Sequence, residues 1–223
     1  MIRATGQLAV RRTGEHRIHL VATAFGPLGG DAAIVSLRVE EGARLQVGSV
    51  AAAVCQPSRD ASPSRAELYA EVAPGAQLEV LLEPTVVATG AQHHARTEVM
   101  LADGGRLRIT ERVVLGRHAE GPGQWSGTTR VVRAGRPLVH SCVELGPGSP
   151  VWRPPTTPRA YATDLVLERQ PPAVAAGLSR TGSDALLLPL PGGSVSTAWG
   201  ERLEDVLARI ADFADGPAAR LPG

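Results

Sequence analysis

One nine-residue phrase occurs three times in this chain. Residues 39–47 read VEEGARLQV, 72–80 read VAPGAQLEV and 101–109 read LADGGRLRI. Each copy is an apolar residue, two spacers, Gly, a small residue, Arg or Gln, Leu, any residue, then Val or Ile. The copies start 33 and then 29 residues apart. A Gly at a fixed offset between two apolar strands marks a turn that uses the φ freedom only Gly has without strain. Recurrence at about 30 residues predicts similar β units, stacked so that each covers its neighbour's apolar face, or else three hairpins of one sandwich. Either way the chain is mainly β, with stacked or layered strands, solenoid-like or sandwich-like, and one or two short helices.

Composition supports this. The chain has 223 residues, 43% of them apolar, so a sizeable core is available to a single domain spanning 1–223. Aromatics are only 3%, which leaves the core to Val, Leu and Ala, while 25 Gly and 18 Pro favour turns over long helices. A net charge of +1 gives no electrostatic reason to expect nucleic acid or a membrane surface as partner. No run approaches the ~20 apolar residues of a spanning helix. The N-terminal MIRATGQLAVRRTG lacks a signal-peptide core, and Cys55 and Cys142 make no disulfide framework. The expectation is a reduced, cytoplasmic protein.

Along the chain, residues 7–25 read as two strands about Thr13-Gly14. Val35, Leu37 and Val39 alternate with polar residues as a half-buried strand. The apolar run Val50 to Cys55 predicts a central strand, and Gln56 to Ser64 a loop. Leu68, Ala70 and Val72 point inward opposite Glu67, Tyr69 and Glu71, and Glu83-Pro84 closes the strand after the second phrase, because Pro removes a ladder donor. The repeated units span 35–114. A hairpin follows about Ala134 to Pro137. Residues 146–160 hold five Pro and two Gly and predict a loop. Tyr161 to Leu167 and Ala185 to Leu188 read as late strands. Leu203, Val206, Leu207 and Ile210 recur at helical spacing, predicting a helix from about 198 to 214 that Gly216-Pro217 ends.

Glu111 shares a strand face with Leu107, Ile109 and Val113. A carboxylate there needs an Arg partner, a cation or a wet channel beside it, unless the strand end is already in solvent. His140 and Cys142 are two apart in a predicted strand and therefore on one face, where they could share a borderline metal or form a nucleophile pair. His93 and His94 are adjacent, so in a strand they face opposite ways and only in a loop could they chelate together. No HExxH, CxxC pair or G-x-S-x-G is present, and the acids are scattered among arginines, which argues against a conventional enzyme.

In order along the chain, several segments resemble the urease accessory protein UreD family, called UreH in some organisms. Pro27 to Asp31 followed by Val39 to Leu45 looks like its "GGD … V-x-x-GA-x-L" opening. Val72 to Glu79 followed by Glu83-Pro84 looks like its "V-x-PGA-x-L-E … PEP" centre. Residues 91–100 and 107–117, with Glu111 inside, look like the next strand and an "E-x-x-x-x-GR" turn, and residues 129–138 like its "R-V … GRP-L" hairpin. The family's Thr-x-x-Ala-Thr-Lys-Val-Tyr segment is replaced here by SVAAAVCQP at 49–57, without the Lys and Tyr. The resemblance implies a mostly β scaffold rather than an enzyme. It would bind the urease apoprotein and the accessory protein UreF, reach the GTPase UreG through UreF, and help load Ni²⁺ into urease. No tightly bound cofactor is implied, only transient Ni²⁺, for which Glu111, Glu83, Asp31 and His93 are the candidate contacts and His140 and Cys142 weaker ones. The alternatives are a small β metalloenzyme built on His140 and Cys142, and a structural β module with no metal role.

Overall fold

The computed structural model describes residues 4, 6–150, 152–154, 157–168 and 179–215. The three phrases are three stacked turns. Gly42, Gly75 and Gly104 take φ of +68°, +68° and +72°. The same backbone bond closes each turn: Ala43 N–H to Glu40 O at 3.0 Å, Ala76 N–H to Ala73 O at 3.1 Å and Gly105 N–H to Ala102 O at 3.1 Å. Bonds from Ala73 N–H to Val39 O and from Ala102 N–H to Val72 O carry the ladder from turn to turn.

Each turn joins a strand of one sheet to a strand of the other. β3 (Ala32–Val39) leads into β4 (Arg44–Ser49), β6 (Ser64–Val72) into β7 (Gln77–Leu81), and β9 (Gln92–Leu101) into β10 (Arg106–Leu115). β3, β6 and β9 pair in parallel, as do β4, β7 and β10. The architecture is therefore a β-solenoid of three rungs and not a hairpin sandwich. Short strands β5 (Ala53–Cys55) and β8 (Thr85–Val87) finish the first two rungs, with β5 pairing β8 and β8 pairing the far half of β10.

The ends depart from the repeat. β1 (Leu8–Arg12) and β2 (Arg17–Ala22) form an antiparallel hairpin, and β2 lies parallel to β4. β11 (Gln124–Arg133) adds a fourth parallel strand beside β9, then turns at Ala134-Gly135 into the antiparallel β12 (Arg136–Leu145), which ends the smaller, five-stranded sheet. In the larger sheet β13 (Ala160–Leu167), β16 (Gly193–Gly200), β15 (Ala185–Leu190) and β14 (Arg180–Thr181) continue beyond β10 in antiparallel fashion. α1 (Leu203–Asp215) packs Leu203, Val206, Leu207 and Ile210 against Ala160, Ala162, Ala185 and Ala198.

Two expectations need correction, and one strand went unread. The helix starts at Leu203, not near 198, because Ala198 to Gly200 pair with β13 as the end of β16. The run Val50 to Cys55 is not one strand: Val50 is 60% exposed and only Ala53 to Cys55 pair. Strand β16 was not foreseen, since its sequence GSVSTAWG carries too few large apolar residues to stand out. The loop expected at 146–160 lies partly outside the described residues, as do Gly216 and Pro217.

Two apolar clusters fill the space between the sheets. One sits at the Gly turns and includes Val39, Val72, Leu78, Leu101, Leu107, Ile109 and Leu165. The other sits at the opposite strand ends and includes Cys55, Val87, Val113, Leu115, Trp125, Leu145 and Tyr161. Between them, at mid-strand, most inward positions are small or polar, Leu68 excepted.

Candidate functional site

That middle belt is in register across strands. Ala66 of β6, Ala95 of β9 and Gly127 of β11 form one row, and Leu68, Thr97 and Thr129 the next. On the facing sheet, Glu111 of β10, Thr163 of β13 and Thr197 of β16 form a third row. Small side chains cannot fill the gap between sheets, and a cavity of about 900 Å³ results, lined by the belt and by Leu20, Val35, Leu82, Val139, Tyr161 and Leu188 among others. It has room for on the order of tens of waters.

Exposed residues interrupt the cavity lining, most clearly in two regions. One lies where the larger sheet is interrupted. β7 pairs with β10 as far as Leu81 opposite Thr110, and β8 resumes at Thr85 opposite Val113. Glu111 and Arg112 therefore have no ladder partner there, because Pro84 has no N–H to give and residues 82–84 bow away. The first rung is broken at the same level by Val50, Ala51 and Ala52, all exposed and all cavity-lining. Glu83 stands at this break, its backbone N–H donating to Ser49 Oγ at 2.9 Å. The second lies at the edge strand β12, where exposed His140, Ser141 and Cys142 border the cavity together with Leu188.

Glu111 makes no hydrogen bond or ion pair among the described residues. What surface it has faces the cavity, and burial raises its carboxyl to about 7. Its neighbours across the strand are hydroxyls: Thr163 Oγ1 lies 3.3 Å from Thr197 Oγ1 and donates to Ser196 O at 3.0 Å. Burial, and then the charge of Glu111, pushes the Tyr161 phenol up. On the opposite sheet His93 is 3% exposed with Nδ1 2.9 Å from Ser64 Oγ, and burial lowers its imidazole to about 4, with His94 adding a smaller push. His94 points the other way, to the outer face, with Nδ1 2.5 Å from Ser126 Oγ.

Of the expected contacts, Glu111, Glu83 and His93 line this one cavity, while His140 and Cys142 border it only as part of the edge strand β12. Asp31 does neither. Its carboxylate accepts from Leu28 N–H at 2.8 Å and from Gln7 Nε2 at 3.3 Å, which shapes the 26–31 loop. His140 and Cys142 share a face as their spacing requires, but it is the outer face, opposite Arg130 and Thr128, where the Thr128 hydroxyl lies 3.8 Å from Cys142 Sγ. Among the described residues no group of three or more His, Cys, Asp and Glu is placed to hold a metal ion. Among them also, no helix is long and apolar enough to cross a membrane. Sequence reading missed Thr163, Thr197 and Ser64. The first two become visible only once Thr163 is seen in register with Glu111.

The pH dependence of stability follows from these two groups. Glu111 is held above its unfolded value of about 4.5, so its favourable contribution is full below that pH and is lost as pH rises through about 7. His93 is held below its unfolded value of about 6.5, so its contribution is full above that pH and is lost as pH falls through about 4. Glu111→Gln should therefore gain stability over wild type between pH 5 and 8, by up to about 3 kcal/mol, less whatever cavity water returns in solvation. Denaturant unfolding of both proteins across that range checks it. Parallel pH profiles would show that Glu111 is solvated as in water.

The fold and site together define a class: a capped parallel β-solenoid around a small-residue cavity that carries a carboxylate unpaired among the described residues. The chain belongs to the UreD urease accessory protein family, whose description it matches over residues 4–190. It is 39% identical to urease accessory protein UreD of Parafrankia sp. (strain EAN1pec), over 87% of this chain and 74% of that protein. It is 37% identical to UreD of Frankia alni, over 89% and 73%, and 35% identical to UreD of Streptomyces avermitilis, over 87% and 80%.

Proposed function

We propose that this chain is a non-catalytic scaffold of urease maturation, acting in the cytoplasm as one β domain. It binds the urease apoprotein and UreF, engages UreG through UreF, and lets Ni²⁺ pass through its cavity toward the urease centre. Membership of the urease accessory family supports the maturation role. The observation that carries the passage is Glu111, a carboxylate without a partner among the described residues, in a cavity whose lining includes exposed residues. An ion in transit must bind and leave, so weak exchangeable oxygen and imidazole ligands with water suit it, whereas a closed set of four would trap it. Glu111 supplies one such ligand at the centre, Glu83 another at the break in the larger sheet and His93 a borderline nitrogen on the far wall. His140 and Cys142 stand beside the cavity on the outer face of the edge strand β12.

The test is urease activation at limiting nickel, with Glu111→Gln and Glu83→Gln each co-expressed with urease and its accessory partners. Both variants should still co-purify with the partners and should lower activation several-fold, Glu111→Gln more than Glu83→Gln. Folded variants that activate urease like wild type would remove these two residues, and with them the passage, from the reading.

A further inference from the structure

Strand β3 ends the smaller sheet, and among the described residues no strand pairs with its free edge. Its pairing with β6 runs unbroken from Ala32 opposite Arg65 to Val39 opposite Val72. Two bonds fix which way its backbone groups point. Arg65 N–H donates to Asp31 O at 2.8 Å, and Ala73 N–H to Val39 O at 3.0 Å. In a parallel ladder the residues of a strand alternate between facing one neighbour and facing the other. The odd-numbered residues from Asp31 to Val39 therefore bond to β6. The N–H and C=O groups of Ala32, Ile34, Ser36 and Arg38 point to the open edge, and no hydrogen bond reaches them among the described residues. On the facing sheet the same rung is closed, because β2 lies along β4. The other sheet edges carry guards against stray pairing. β1 has Arg11 and Arg12 exposed, β12 has Pro137 and a register shift in its pairing, and β14 is two residues long. β3 has eight residues, no Pro, no register shift, and Ile34 64% exposed on its outer face.

We propose that the β3 edge is a strand-addition site for an extended segment of another protein, one that is apolar at alternate positions and carries an acidic residue. The open N–H and C=O groups bond the backbone of that segment, as in other cases of β-augmentation. Ala33, Val35 and Leu37 face inward and are only half-buried. The inward side chains of the segment must therefore be apolar, to finish that end of the core. Outward, one side chain lies beside Ile34, at the head of a diagonal of Ile34, Tyr69 and Met100 that crosses three strands. The acid answers Arg38. Its side chain is 72% exposed and gives Nε and Nη2 to one oxygen of Glu71, at 3.0 and 2.9 Å. Its Nη1 has no partner among the described residues, and a carboxylate on the added strand takes it. The same charge argues against a second copy of this chain, since residues 32–39 hold no acid and bring only another arginine. The proposal rests on the scaffold reading for the existence of a partner, and is independent of any passage through the cavity.

Amide-resolved hydrogen exchange of the full-length chain tests this, first alone and then assembled with the urease apoprotein and its accessory proteins. In the free chain the amides of Val35, Leu37 and Val39 should be protected, and those of Ile34, Ser36 and Arg38 should exchange freely. In the assembly the second set should slow by about tenfold or more. Ser36→Pro removes an edge-facing N–H and no ladder bond, so the unfolding midpoint should hold while affinity for the assembly falls about tenfold. Ser36→Thr should bind like wild type, and Arg38→Ala should bind about threefold more weakly. An assembly in which Ile34, Ser36 and Arg38 exchange as in the free chain overturns the proposal and leaves the scaffold reading standing, whether or not Ser36→Pro folds. Wild-type affinity in a folded Ser36→Pro or Arg38→Ala overturns it as well. Protection of the same amides in the isolated chain, rising with its concentration, makes the occupant a second copy and also overturns it. Failure to assemble at all removes the scaffold reading together with this one, so the two failures are separable.

Discussion

Filling the belt should stop urease activation while leaving the protein folded. In an Ala66→Phe/Ala95→Phe double variant two rings project from neighbouring strands, since the two alanines are in register, into a space of about 900 Å³. Adding bulk to a packed core costs about 1–3 kcal/mol through strain. Here the added rings meet a void, and each recovers part of the ~1.5–3 kcal/mol that burying a phenylalanine side chain brings. The expected outcome is a melting temperature equal to or above wild type, unchanged co-purification with urease and accessory partners, and nickel-dependent activation reduced to the level seen without this chain. Ala66→Ser/Ala95→Ser changes polarity but hardly volume and should activate normally. This contrast isolates the open cross-section, because the outer faces are untouched in both. Full activation by the phenylalanine variant, with the rings confirmed in place by its raised stability, would mean that nothing needs to pass here.

The parts of this design that sequence exposes are those set by local chemistry. The Gly-centred turns are readable because a positive φ at Gly42, Gly75 and Gly104 leaves a glycine at the same offset each time. Their neighbours follow, since the period-2 alternation of Val35, Leu37 and Val39 is dictated by the pleat. The odd position of Glu111 is readable for the same reason. The solenoid itself was only one of two readings, because parallel stacking of rungs about 30 residues apart and antiparallel hairpins share one alternation pattern. The cavity was not legible. It arises from which small residues fall at the same height: Ala66 beside Ala95 beside Gly127, each unremarkable in its own strand. Asp31 misled because a carboxylate beside glycines reads alike whether it holds an ion or, as here, the Leu28 N–H of its own loop.

Trp125→Ala should be the most destabilising single truncation in the core, at about 3–5 kcal/mol out of the 5–15 kcal/mol typical of a folded protein. Trp125 is 1% exposed and, among the described residues, the largest fully buried side chain, with its ring centroid 5.7 Å from that of Tyr161 and inclined at 39°. Its six-membered ring lies over Gly127 so closely that a methyl group there would come within 2.2 Å of it, which is why that place in the belt must be glycine. In a chain with so few aromatics no neighbour can take over this volume. Trp125 also sits in register with His93 on one side and Leu145 on the other, so it seals the end of the cavity against which the imidazole is desolvated. Two measurements follow. The urea midpoint should fall sharply in Trp125→Ala and much less in Trp125→Phe. In whatever variant remains folded, water admitted beside His93 should raise its imidazole from about 4 back toward the ordinary histidine value. An unchanged midpoint would mean that this end of the solenoid is held by the strand ladders alone, and an unchanged His93 titration that the ring is shielded by Ser64 and its own sheet, with Trp125 filling space and nothing more.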